Sequence, residues 1–102
     1  MGYQETAQQN AQLTAAPITG VTQVALSNFA VGPANIQVPI GTTVTWTNGD
    51  DAPHSVTFNN GMADSGLFKK GQTYQYTFTK AGTFTYHCTV HPGMVGRVVV
   101  TP

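Results

Sequence analysis

The chain carries a single cysteine, and it stands in Tyr86-His87-Cys88-Thr89-Val90-His91-Pro92-Gly93-Met94. A thiolate, an imidazole and a thioether at Cys-x-x-His-x-x-Met spacing make up most of a soft metal site. A second imidazole is available upstream in Pro53-His54-Ser55. Soft sulfur with two imidazoles selects copper, held in a trigonal plane with a weak axial thioether, a geometry suited to one-electron transfer. The candidate ligands of one copper ion are therefore His54, Cys88 and His91, with Met94 as the axial contact.

Other chemistries use some of these residues. A buried Cys alone is commonly a small hydrophobe, and a single His is commonly structural. A Cys/His pair can be a nucleophile and its base, but no acidic or amide group is evident in the sequence to orient that base. Zinc accepts Cys and His, yet closed zinc sites more often carry two or more Cys, and a thioether suits zinc poorly. Copper is the reading that uses all four residues.

The elements around these residues must bring them to one point. Cys88 is expected to end a strand, with Thr89-Val90 turning the chain so that His91 returns to the same place. Pro92-Gly93 is a turn dipeptide that brings Met94 back before a valine-rich strand. In 82–88, Phe84, Tyr86 and Cys88 share one face by the period of two, and that face is the apolar one. His87 falls on the opposite face and is not a ligand. In 54–58, His54 shares a face with Val56 and Phe58, while Ser55 and Thr57 are expected outside. Met62, a spare thioether in a loop, is read as an apolar contact.

The 102 residues suffice for one domain with a modest core. Thr, Val, Gly and aromatic residues are plentiful and charged residues are only 8%, a β composition. With net charge zero and only Lys69, Lys70, Lys80 and Arg97 as fixed cations, there is no basic patch for nucleic acid and no attraction to anionic lipid. No transmembrane run occurs, and residues 1–20 lack the apolar core of a secretory signal.

Residues 1–17 are rich in Gln, Ala and Thr and bury too little to offset ordering entropy; they are read as a flexible tail or linker. Residues 18–102 form the domain. Strands are expected near 21–25, 34–38, 42–48, 54–58, 73–79, 82–88 and 95–101, with 27–33 irregular and 59–70 a loop. The 59–70 loop has room for one short strand or helical turn. Such short strands with regular turn signals predict an all-β, Greek-key β-sandwich of about seven to eight strands.

At this level the chain resembles the cupredoxins, the blue-copper family. The resemblance runs through Asn35-Ile36-Gln37-Val38, Gly41-Thr42-Thr43-Val44-Thr45-Trp46-Thr47-Asn48, Pro53-His54-Ser55-Val56-Thr57-Phe58, Gly71-Gln72-Thr73-Tyr74 and Ala81-Gly82-Thr83-Phe84 through Val100. The two-residue gap between His91 and Met94 is similar to the short-loop amicyanin type. By position the resemblance implies His54, Cys88, His91 and Met94 as copper ligands. It implies a small monomeric one-electron carrier that docks redox proteins transiently near His91. It also implies export, to the periplasm, the extracellular face of a membrane or the thylakoid lumen, with the tail following a removed signal or an anchor.

Two positions depart from the family pattern. Ser55 stands where Asn is usual, which predicts a weaker tie between the ligand loops. Val90 stands where Pro is typical, which offers an extra N–H that could aim at the Cys88 sulfur. A small apolar rim is expected from Pro33, Pro53, Pro92 and Gly93, and Asp50-Asp51 is a candidate for steering a basic partner. The alternative function is copper trafficking or storage with the same ligands. An enzyme is not expected: three His are too few for additional coppers, and one Cys excludes a dinuclear thiolate centre.

Overall fold

The computed structural model describes residues 15–102. Most of the expected 1–17 tail therefore lies outside the described residues. Within it, the Ala15 carbonyl accepts a hydrogen bond from Asn35 Nδ2 at 2.7 Å.

Among the described residues nine strands form two sheets, in line with a β-sandwich. They are β1 (Ile18–Thr19), β2 (Gln23–Ser27), β3 (Ala30–Gly32), β4 (Asn35–Pro39), β5 (Thr43–Asn48), β6 (Thr57–Phe58), β7 (Thr73–Thr77), β8 (Gly82–His87) and β9 (Val95–Thr101). One sheet has the order β1-β4-β9-β8-β6 and the other β3-β2-β5-β7. The pairs β1–β4, β4–β9 and β2–β5 are parallel, and the rest antiparallel.

Strand alternation builds the core. In β5, Val44, Trp46 and Asn48 are buried while the threonines between them are not. In β9, Gly96, Val98 and Val100 point inward. Between the sheets Trp46 packs edge-on against Tyr86 (centroids 5.5 Å, 84°) and Phe58 (6.2 Å, 82°), an arrangement worth about 0.5–1.5 kcal/mol per pair beyond burial.

The structure departs from two expectations. The stretch 27–33 is not irregular: it is a hairpin, with Ser27 opposite Ala30 across a two-residue turn at Asn28-Phe29. The strand expected over 54–58 is regular only at β6, and His54 is held by an isolated bridge to Phe68. A second bridge joins Thr57 to Asp64, so the ladder slips by one residue between the two, the pattern of a bulge, which commonly re-aims side chains beside functional sites. The stretch 59–70, expected as a loop with room for one short strand or helical turn, carries bridge pairing at Asp64 and Phe68.

All the pieces that matter converge at one end of the sandwich. There β5 runs out at Asn48 into the 49–53 loop, β8 runs out at His87 just before Cys88, β9 begins, and the end of β2 before the 28–29 turn lies beside Gly49, whose N–H donates to the Leu26 carbonyl (2.8 Å).

Candidate metal centre

Cys88, expected to end a strand, is the residue just after β8; it keeps the inward direction that parity requires and is 2% exposed. The loop after it closes on itself. The His91 carbonyl accepts from Met94 N–H (2.9 Å), a turn through Pro92-Gly93, and the Met94 carbonyl accepts from Cys88 N–H (3.0 Å). Met94 is thereby returned beneath Cys88 and fully buried. His91 stays half-buried at the surface.

His54 is fully buried. Its backbone N–H and carbonyl both pair with Phe68 (3.2 and 2.9 Å), which fixes the main chain. Its Nε2 lies 2.8 Å from Asp50 Oδ2. A carboxylate accepts only, so Nε2 carries the hydrogen and Nδ1 presents its lone pair. That Nδ1 lies 3.7 Å from Cys88 Sγ. Two donors bound to one ion at about 2.0–2.3 Å each stand roughly 3.5–4 Å apart, so this spacing fits a single shared ion. The His54 and His91 rings are 5.1 Å apart at 71°. The structure thus brings His54 and Cys88 within reach of one ion, sets the His91 ring beside His54, and ties Met94 to Cys88 and His91 through its backbone; among the described residues it preassembles no cluster of three or more His, Cys, Asp or Glu side chains around one point. A thiolate, two imidazoles and a thioether are a soft donor set that fits copper.

Ser55 was expected to face outward, but it is 2% exposed because the ligand loop folds across that side of the chain. Its hydroxyl accepts from Thr89 N–H (3.0 Å) and also bonds Thr89 Oγ1 (3.2 Å) and Thr57 Oγ1 (3.0 Å). The tie between the two ligand segments is therefore made by Ser55. Ser55→Ala should cost about 1 kcal/mol, read as a Tm drop of roughly 4–8 °C. An unchanged Tm would show that water replaces the hydroxyl at no cost.

Cys88 Sγ accepts the Ser55 N–H at 3.5 Å. The Val90 N–H, expected as a further donor to the sulfur, makes no such bond: among the described residues Ser55 supplies the backbone donor, and Val90 is an exposed residue at the loop's crest.

Three residues shape the site that sequence reasoning did not single out for it. Asn48, buried at the end of β5, donates from Nδ2 to the carbonyls of Ala52 and Phe68 (2.9 Å each) and accepts from Asp50 N–H (2.7 Å). It pins the loop that delivers His54. Asp50 accepts from Asn28 N–H (2.8 Å) and Phe29 N–H (3.0 Å) as well as from His54. Phe29 packs edge-on against His91 (4.8 Å, 74°) and His54 (5.8 Å, 87°). Of the residues expected to form an apolar rim, Pro53 and Pro92 are exposed, Pro33 is half-buried and Gly93 is buried; Phe29 is exposed as well.

The Asp50-Asp51 pair does not form a free acidic patch. Asp50 is engaged internally, and Asp51 faces Lys70 (3.4 Å) in a solvent-exposed ion pair that contributes little to stability.

Burial pulls the Asp50 pKa up, but hydrogen bonds from His54, Phe29 and Asn28 outweigh it and hold the carboxyl below its usual value of 3.8. A depressed folded-state pKa contributes stability that is complete above the unfolded value and lost as pH falls through the folded one. Metal-free protein should therefore lose stability below about pH 4, and Asp50→Asn should flatten that acid limb of a Tm-versus-pH curve. An acid limb identical in the variant would remove Asp50 from this role.

The profile of the copper-binding proteins of the plastocyanin/azurin family matches residues 18–101. Amicyanin of Paracoccus denitrificans is 41% identical over 86 residues, covering 79% of this chain and 66% of that protein. Plastocyanin of Sambucus nigra is 35% identical over 88 residues, covering 72% of this chain and 89% of that protein. Among solved structures, the oxidised state of a proline-to-alanine mutant of amicyanin superposes with a TM-score of 0.74 at 41% identity, covering 80% of this chain and 83% of that one. The β-sandwich, the profile match over most of the chain and the likeness to amicyanin agree, and the protein belongs to the plastocyanin/azurin family of copper-binding proteins.

Proposed function

We propose that the protein is a mononuclear type 1 (blue) copper protein that carries single electrons between redox partners, with His54, Cys88, His91 and Met94 as ligands. The observation that carries this reading is the pairing of His54 Nδ1 with Cys88 Sγ at 3.7 Å, with the other imidazole nitrogen committed to Asp50. When bound, copper supplies a one-electron couple between Cu(I) and Cu(II). The chain's own residues do the rest. Asp50 sets the His54 tautomer and ring direction. The Ser55 N–H withdraws electron density from the sulfur and so favours the reduced state. Burial of His54, Cys88 and Met94 excludes water and holds the donors in place, so little rearrangement accompanies the redox step.

His91 is the half-buried member of the set, and its ring edge is the port for electrons. Phe29, Pro53, Val90 and Pro92, all exposed, surround that end with apolar surface for transient docking of redox proteins. The protein is read as an exported monomer, periplasmic, extracellular-facing or lumenal, that is not an enzyme and does not bind nucleic acid. Among the described residues no helix is long and apolar enough to cross a membrane.

Titrating metal-free protein with Cu(II) should develop an intense blue absorption that saturates at one equivalent, with a reversible one-electron wave in voltammetry. A colourless complex, or a different stoichiometry, would overturn the assignment. Rapid surrender of copper to an acceptor without a reversible wave would favour trafficking instead; three ligands with at most 2% exposure argue against easy release.

A further inference from the structure

The turn at Asn28-Phe29 is unusual. Both residues have φ of 55°, the left-handed region, in a two-residue hairpin turn where Asn-Gly is the favoured pair. Asn tolerates that region; Phe does not, at a cost of about 1–2 kcal/mol. Phe29 does not recover the cost through full burial, because it remains 40% exposed. Strain held at a functional site points to a role for the strained residue.

The surroundings show what the role is. A metal-binding His generally has its second nitrogen fixed by a hydrogen bond. His54 has this through Asp50. The His91 ring has no hydrogen bond among the described residues, and it sits on a loop; the ring contacts found for it are those to Phe29 at 4.8 Å and His54 at 5.1 Å. Phe29 in turn is held by the carboxylate that fixes His54, since Asp50 accepts both N–H groups of the strained turn.

We propose that Phe29 is a positioning residue that sets the His91 ring in the metal-free protein. The positive edge of one aromatic ring against the face of another does the orienting that a protein hydrogen-bond partner does for His54. The Asp50 carboxylate latches the turn and thereby orients both imidazoles, one directly and one through Phe29. A glycine at position 29 would make the easier turn and leave His91 unguided. This inference rests on the reading of His91 as a ligand.

The test compares Phe29→Gly and Phe29→Tyr with the unmodified protein. Phe29→Gly relieves the backbone strain, so the fold is retained, as circular dichroism would verify. In metal-free protein, NMR relaxation at the His91 ring should show restricted motion in the unmodified protein, averaging in Phe29→Gly and restored order in Phe29→Tyr. Affinity for Cu(I), measured by competition with a chelator, should fall about 10–100-fold in Phe29→Gly and recover in Phe29→Tyr. A His91 ring as ordered in Phe29→Gly as in the unmodified protein overturns the role given to Phe29 and leaves the ligand set standing. His91→Ala, with Phe29 intact, reads the ligand assignment alone: unchanged copper affinity there overturns that assignment and the positioning role with it.

Discussion

Cys88→Ser should leave a folded protein that never turns blue. The colour of a type 1 site arises from charge transfer out of a sulfur 3p orbital into Cu(II), so it needs a thiolate and not merely a donor in the same place. A serine hydroxyl is hard, stays protonated near neutral pH, and reaches less far than sulfur. Soft ligands are also what select copper over harder ions, so affinity for Cu(I) should fall along with the absorption. The fold should survive, because Cys88 Sγ takes part in one backbone hydrogen bond, from Ser55 N–H, which a hydroxyl oxygen can also accept. The intense band should vanish entirely in a Cu(II) titration, while far-ultraviolet circular dichroism stays unchanged. Met94→Leu provides the contrast. It keeps the buried volume while removing a weak axial donor, so the protein should remain blue with a raised potential, since the oxidised ion gains more from a fourth donor. Full colour in Cys88→Ser would remove Cys88 from the ligand set.

The parts of this site legible in the sequence are those that depend on local rules. Alternation with a period of two placed Phe84, Tyr86 and Cys88 on one inward face of β8 and the residue after it, and in the structure Phe84 is half-buried while Tyr86 and Cys88 are buried. The turn chemistry of Pro92-Gly93 placed Met94 back under Cys88. What the sequence did not disclose depends on segments far apart along the chain. Ser55 is buried because Thr89, 34 residues away, lies over it; parity within 54–58 carries no information about that cover. Strand β1 has two residues and exists through a parallel pairing with Ile36 and Gln37, too short to leave a periodic signal. The Asp50 hub joins the 28–29 turn, the 49–53 loop and His54, and none of these has a local pattern that names the others. Phe29 reads as an ordinary loop aromatic because local preference assigns its backbone position to glycine. Asp50-Asp51, read from charge alone, suggested a steering patch, whereas hydrogen bonding and Lys70 absorb both carboxylates.

Gly96→Ala is the substitution away from the candidate ligands expected to cost the most. Gly96 lies in β9 directly opposite Tyr86 of β8, and the Tyr86 side chain folds down over it. A Cβ built at position 96 would fall within the Tyr86 ring, against Cζ and the hydroxyl, and only 2.6 Å from Cε1. The tyrosine cannot swing aside cheaply, because it is 2% exposed and packs against Trp46 and Phe58. Glycine is usually weakening within a strand, but here its missing side chain is the space the aromatic ring fills, a known way of stabilising such positions. Overpacking in a tight core costs about 1–3 kcal/mol and more when no rotamer is free, so a loss of at least about 3 kcal/mol and a Tm drop of roughly 12–24 °C are expected. The damage should also reach the candidate metal centre, since Tyr86 stands two residues before Cys88 on the same face of the chain, and displacing its ring moves the strand end that leads into Cys88. Urea denaturation of Gly96→Ala, Tyr86→Leu and the double variant would isolate the cause. If the clash is responsible, the double variant should be more stable than the sum of the two single losses predicts, by about 1 kcal/mol or more. Strict additivity, or a Gly96→Ala protein within about 0.5 kcal/mol of the unmodified one, would mean that the strand shifts to make room and that Tyr86 does not need the glycine.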